Sequence, residues 1–294
     1  MIPSLPLTSG HLSAEQVSRY WKDGFIFPLP VVATDQAAAW RIAFELMERN
    51  WLDAGLPLPL NSYKRLNAQC VMPLAWEIGS HPGILDAVED LLGPDILLYS
   101  VEFFVKEPGT RHVVTMHQDL TYWGMGAIDG LVTAWIPLSP ATPASGCMDF
   151  VRGSHKNAIL PHQDTFEADN LLSRGQEIAV DINQADKVAI ELHPGQMSLH
   201  HGLTIHGSGP NISADRRIAA VVRYLTPDVA QEHGGQDYAI PVRGTDKKGH
   251  FIHYAPAQEW FTPEGIAMHD KIRAHQAQVT MAGTKEKGLY EGAR

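Results

Sequence analysis

The chain has 294 residues, 44% of them hydrophobic and 19% charged, with a formal net charge of −10. That composition belongs to a folded globular protein and excludes a disordered or fibrous one, while the acidic balance disfavours a nucleic-acid groove or an anionic membrane surface, either of which needs a clustered basic stripe. Cys70 and Cys147 are too few for a disulfide framework and form no C-x-x-C pair, no run of about 18 apolar residues offers a membrane span, and the N-terminus lacks a signal pattern, so a cytoplasmic protein is expected.

Residues 1–10, rich in Pro, Ser and Gly, read as loose surface chain. Ser13 with Gln16 makes a capping box that predicts a helix over 14–23. "DGFIFPLPVV" follows as a short strand and turn, and "TDQAAAWRIAFELMERNWL" as a longer amphipathic helix capped by Thr34 or Asp35. Two further helices are expected near 72–79 and 82–92, the second with Ile84, Val88, Leu91 and Leu92 in one stripe. After Gly93-Pro94 the pattern turns to β, with runs at 95–107, 131–139, 146–154, 188–202 and 216–227. Turns rather than helix-length segments separate them, which predicts antiparallel sheets in a sandwich, jelly roll or barrel. The polar stretch 155–187 is long for a loop and reads either as a lid or binding loop or as a solvated excursion. A last helix is expected at 263–279, then a frayed tail. The expected organisation is one unit over 1–294, with a helical N-terminal part at about 11–92, a β core at about 95–228 and a C-terminal extension at 229–294.

Within the β region, "MHQDLTYW" (116–123) places His117 and Asp119 two apart on what reads as an exposed strand end. Residues i and i+2 share a face, so imidazole and carboxylate can meet on one ion while Gln118 points away. With 15 histidines in the chain, a plain His–Asp hydrogen bond is the alternative. A third ligand is available in "GQMSLHHGLTIHGSGPN", read as a later hairpin, where His200, His201 and His206 are candidates. Two His and one carboxylate leave three positions of Fe(II) open, although zinc with a water could use the same set. Downstream, Arg216 and Arg217 alternate faces, so only one can point inward, where it could clamp a carboxylate through two parallel N–H···O bonds. A surface salt bridge is the alternative for either.

Together these segments resemble the phytanoyl-CoA dioxygenase family of Fe(II)/2-oxoglutarate-dependent oxygenases. The resemblance rests on "LSAEQVSRYWKDGFIF", "FFVKEPGT" ahead of "MHQDLTYW", "TAWIPLSPATPASGCMDFVRGSHK" and "HGSGPNISADRR", in order over residues 11–228. It implies a mainly β fold with flanking helices, a double-stranded β-helix or cupin-like jelly roll, forming a single oxygenase domain. It implies His117, Asp119 and His206 as iron ligands, His206 being preferred because G-S-G-P-N follows it. Arg217, eleven residues on, takes the role of clamping the distal carboxylate of 2-oxoglutarate. Ser208 and Trp135 match positions lining the cosubstrate, and Lys106 matches the lysine after the second core strand. The implied reaction uses O2 to convert 2-oxoglutarate to succinate and CO2 and ends in hydroxylation of a substrate. Desaturation, cyclisation or bond cleavage can follow from the same hydrogen abstraction. The intact carboxylate of Asp119 disfavours halogenation, and the intact ligand set speaks against a non-catalytic jelly-roll binding module.

Alternation puts Glu102 on the same side as Phe104 and Lys106. An inward acid needs a partner, so Glu102 meets a protein cation such as Lys106 or anchors a cationic substrate. The second option motivates a small polar, amine-bearing substrate; an acyl-CoA is disfavoured because its phosphates want a basic patch. Tyr122 and Trp123, with Met148 and Phe150 opposite, wall the substrate chamber or simply pack the core. His155, His162 and His201 read as hydrogen-bonding residues, and Asn170 and Arg174 in the 155–187 stretch as places for substrate contacts. A monomer or homodimer with no nucleic-acid or membrane partner is expected.

Overall fold

The computed structural model describes residues 10–165, 169–172, 175–179, 183–232 and 235–280. Six α-helices are present among them: α1 (Ala14–Asp23), α2 (Thr34–Trp51), α3 (Leu60–Lys64), α4 (Pro73–Gly79), α5 (Pro82–Leu92) and α6 (Pro263–Thr280). The capping box at the start of α1 forms as its residues dictate, with Ser13 Oγ accepting from Gln16 N and Gln16 Oε1 accepting from Ser13 N. α2 starts differently from expectation. Its N-cap is Ala33, with extended backbone and no side-chain cap, so Thr34 and Asp35 fall inside the first turn, where the Asp35 carboxylate suits the positive end of the helix. The loose segment expected at 1–10 and the tail after 280 lie almost wholly outside the described residues.

The strands form three sheets. The largest runs in the order β1 (Phe25–Pro30), β9 (Gln196–His201), β4 (Leu131–Pro137), β11 (Arg217–Leu225), β2 (Ile96–Lys106), β12 (Asp237–Arg243) and β13 (Phe251–His253). A second has the order β3 (Val114–His117), β10 (His206–Ser208), β5 (Met148–Val151) and β8 (Lys187–Ile190), and β6 (His162–Asp164) pairs with β7 (Gln176–Ile178) alone. All pairings are antiparallel except β12 with β13.

Three expectations change here. The run 188–202 is two strands, because the Pro194-Gly195 turn interrupts it and sends β8 to the small sheet and β9 to the large one. For the same reason the segment holding His200 and His206 is no hairpin: β9 and β10 lie in different sheets, and the chain crosses between them. The β region also continues past 228, since β12 pairs with β2 at the far side of the large sheet. The stretch 155–187 is partly folded, through β6 and β7.

Two cores follow from this layering. Alternate residues of the large sheet, among them Val101, Phe103, Ala220 and Val222, pack with Trp40 and Phe44 of α2 and with α4 and α5. The opposite residues, Phe104, Trp135, Ala219 and Val221, pack with Met148, Phe150 and Ile190 of the small sheet, as a jelly roll requires. The second core is the one that borders the site.

Candidate metal centre

β3 and β10 are neighbours in the small sheet, and their register pairs His117 directly with His206. Close packing is needed there: a Cβ on Gly207 would stand 2.7 Å from Val114 O and from Met116 Sδ. Asp119 opens a 3₁₀ turn, Asp119–Tyr122, immediately after β3. The motif is buried rather than exposed, with His117 and Asp119 each 6% accessible. Gln118 points the other way, donating to Leu203 O at 2.9 Å and accepting from Leu160 N at 2.8 Å.

One ligand atom from each of His117, Asp119 and His206 lies within 4.8 Å of the others. His117 Nδ1 is 2.9 Å from Thr115 O, and His206 Nδ1 is 2.9 Å from Thr204 O. A carbonyl can only accept, so each Nδ1 carries the proton and each Nε2 presents a lone pair. Those Nε2 atoms stand 3.5 and 3.9 Å from Asp119 Oδ1. Burial pushes the His206 imidazole down to about 4, which keeps it neutral at ordinary pH. For Asp119 burial acts upward, but Arg223, then His117 and His206, outweigh it and hold the carboxyl well below the usual range. Two imidazoles and one carboxylate on one side of a space are the donor set of a divalent metal with open positions, so the residues fit an iron ion.

The pocket that contains the triad is also lined by Trp135, Met148, Leu172, His200, Ser208 and Arg217. Arg217 is 1% accessible, and its Nε and Nη2 have no hydrogen-bond partner among the described residues. Burial lowers the guanidinium to about 10, so it is still a cation at neutral pH. A desolvated cation without a counter-ion is costly and calls for an anion in the pocket. Trp135 lies beside it, the guanidinium carbon being 5.5 Å from the indole centre. Arg216 faces outward, bonding Glu107 at 2.6 Å and Glu48 at 2.8 Å.

Lys106 is buried behind this wall, donating to Ser208 Oγ at 2.7 Å, Ser208 O at 3.2 Å and Gly209 O at 2.5 Å. It fixes the end of β10 that carries Ser208. The expected pairing of Lys106 with Glu102 does not form; Glu102 pairs with Arg223. The register explains it, since Lys106 is level with Arg217 while Glu102 is level with Val221, one inward step from Arg223.

Phe150 packs against the rings of His200 and His206, with centroids at 4.7 and 5.9 Å. Trp123 stacks on Arg223, 4.6 Å from its guanidinium carbon, and does not border the pocket. The side chain of Tyr122 and the whole of Arg174 lie outside the described residues. Asn170 bonds Thr115 Oγ1 at 2.7 Å and ties the 155–187 stretch to β3. His155 bonds Trp21 O, His162 bonds Gln118 N and Leu160 O, and His201 bonds Asp129 and Leu203 N. His200 is different: 1% accessible, with neither ring nitrogen hydrogen-bonded among the described residues, it stands with Nε2 4.0 Å from Asp119 Oδ2. Sequence reasoning named His200 only as an alternative third ligand, and overlooked Arg223 and Thr133 as neighbours of Asp119. The usable signal was alternation, which puts Arg217 and Arg223 on one face of β11 and Thr133 and Trp135 on one face of β4.

Residues 20–219 match the family model described as phytanoyl-CoA dioxygenase (PhyH). A probable phytanoyl-CoA dioxygenase of Caenorhabditis elegans is 28% identical over 165 residues, 54% of this chain and 53% of its own. The chain thus spans about half the length of the curated relatives it matches. Among solved structures, the non-heme monooxygenase ThoJ in its apo form superposes with a TM-score of 0.81 at 32% identity, covering 90% of this chain and 98% of that one. The non-heme alpha-ketoglutarate-dependent carbocyclase SnoK from nogalamycin biosynthesis follows with a TM-score of 0.61 at 26% identity, covering 79% and 91%.

Proposed function

Because the chain belongs to the phytanoyl-CoA dioxygenase family, we propose that it is an Fe(II)/2-oxoglutarate-dependent oxygenase that hydroxylates a small organic molecule. The observation that carries this reading is the presence, in one buried pocket, of a His-Asp-His triad and a guanidinium whose Nε and Nη2 find no hydrogen-bond partner among the described residues. A zinc hydrolase or a ligand-sensing jelly roll would account for the triad without itself calling for a buried arginine beside it. A dicarboxylate cosubstrate uses both ends.

His117, Asp119 and His206 would hold the metal, which would supply, with O2 and 2-oxoglutarate, the redox chemistry that side chains lack. Arg217 would take the distal carboxylate of the cosubstrate in a charge-assisted bond, with Trp135 and Ser208 lining the pocket beside it. Lys106 keeps Ser208 in place. The pocket's apolar members, Phe104, Val114, Met148 and Leu172, exclude water around these charges and so strengthen each interaction.

Glu102 has its counter-ion in Arg223, so the small polar substrate is proposed without the amine. Ring closure is the second outcome we keep, supported by the likeness to a carbocyclase; the same hydrogen abstraction starts both, and the pose of the substrate decides. A cytoplasmic setting belongs to the same proposal; no helix among the described residues is long and apolar enough to cross a membrane.

The test is a succinate-release screen over a metabolite panel with Fe(II), 2-oxoglutarate and ascorbate. The expected result is release that depends on one compound class, on Fe(II) and on 2-oxoglutarate. Release indifferent to Fe(II) would overturn the reading.

A further inference from the structure

The two oxygens of Asp119 face different surroundings. Oδ1 looks at the Nε2 atoms of His117 and His206, at 3.5 and 3.9 Å. Oδ2 accepts from Thr133 Oγ1 at 3.3 Å and stands 3.5 Å from Arg223 Nε. Arg223 is itself held from behind: Nη1 bonds Glu102 and reaches Ser100 Oγ at 3.3 Å, and the guanidinium carbon lies over the Trp123 ring, 4.6 Å from its centre. The sheet register aligns these groups in one row beneath Asp119. His200 is paired with Thr133, Thr133 with Arg223, and Arg223 with Ser100, across β9, β4, β11 and β2.

We infer that Arg223, together with Thr133, is a positioning residue that keeps Asp119 a one-oxygen ligand, with Oδ1 on the metal and Oδ2 on the protein. The inference rests on the metal reading above and adds a residue to it. A carboxylate that gives one oxygen leaves three of six positions open, enough for a chelating cosubstrate and O2; one that gives both leaves two, which is too few. The Thr133 hydroxyl takes one lone pair of Oδ2, and the Arg223 cation beside that oxygen holds its charge away from the metal. Glu102 shares the Arg223 charge from the other side and stops the guanidinium from closing fully onto Asp119. That assignment gives the buried Glu102 a task within the protein and explains why Trp123 follows the metal motif without lining the pocket.

The test uses the metal-free full chain and Co(II), whose visible absorption reports coordination number. Arg223→Gln frees Oδ2 to turn to the metal, so its Co(II) spectrum should shift toward a higher coordination number, with affinity changed by about 10-fold or more, the usual scale for groups behind a ligand. Thr133→Val, nearly isosteric and removing one hydrogen bond to the same oxygen, should shift affinity in the same direction by about 2–10-fold. Circular dichroism identifies variants that keep their fold. Folded Arg223→Gln and Thr133→Val proteins with wild-type Co(II) affinity and spectrum would overturn the inference while leaving the metal reading intact; should Arg223→Gln not fold, an unchanged Thr133→Val overturns it alone. Failure of the wild-type chain to bind Co(II) would overturn both.

Discussion

The two faces of the large sheet, built from the same strands, have opposite chemistry. On β2 and β11 the residues facing the helices are Val101, Phe103 and Val105, with Ile218, Ala220 and Val222, all apolar. Those facing the small sheet include Glu102, Lys106, Arg217 and Arg223, all buried. One residue along the chain changes a hydrocarbon environment into a charged one, because side chains of a strand alternate. The apolar face supplies burial energy, and the other spends part of it on charges that only a metal, a cosubstrate and one another can match. Stability and chemistry should therefore respond to different substitutions on the same strand.

The largest separation is expected at the ligands. Asp119→Ala or His117→Ala should lower succinate formation more than about 100-fold, beyond what residues behind a ligand cost, while thermal unfolding of the metal-free protein changes little. Phe103, one position from Glu102 and packed on Phe44 with ring centres 4.7 Å apart, should behave in the opposite way. Phe103→Ala is expected to cost about 3–5 kcal/mol in denaturant unfolding, with metal affinity of the folded fraction unchanged. Arg217→Ala should leave metal binding intact and raise the 2-oxoglutarate requirement about 30-fold or more, the equivalent of roughly 2 kcal/mol for losing one partner of a buried charge pair. The smallest effect belongs to its neighbour: Arg216→Ala breaks partly exposed ion pairs with Glu107 and Glu48 and should change stability by about 1 kcal/mol or less, with no effect on the 2-oxoglutarate requirement. If Arg216 rather than Arg217 moved that requirement, the assignment of the two faces would be reversed.

What could be read from the chain alone follows the distance over which each feature is decided. The α1 capping box depends on residues three apart, and it forms as written. The His117–Asp119 pair, and the rule that only one of Arg216 and Arg217 can face inward, depend on alternation, which is also local; the resemblance, not alternation, singled out Arg217. The split of 188–202 into strands of two sheets depends on where the chain crosses the barrel, and neither propensity nor period records that. The partner of Glu102 is 121 residues away, selected by the register of β2 against β11; a nearer lysine on the same face was the natural but mistaken choice. His200 stood next to His201 in the sequence, and only the cross-strand row shows that the first enters the pocket while the second turns to Asp129.

The central claim, that the triad and Arg217 serve one cosubstrate on one metal, is tested most directly by absorption spectroscopy under anaerobic conditions with Fe(II) and 2-oxoglutarate. The wild-type protein should show a metal-to-ligand charge-transfer band, His206→Ala should show none, and Arg217→Ala should need more 2-oxoglutarate to reach the same intensity. A folded wild-type chain that binds Fe(II) yet gives no such band at saturating 2-oxoglutarate would contradict the account.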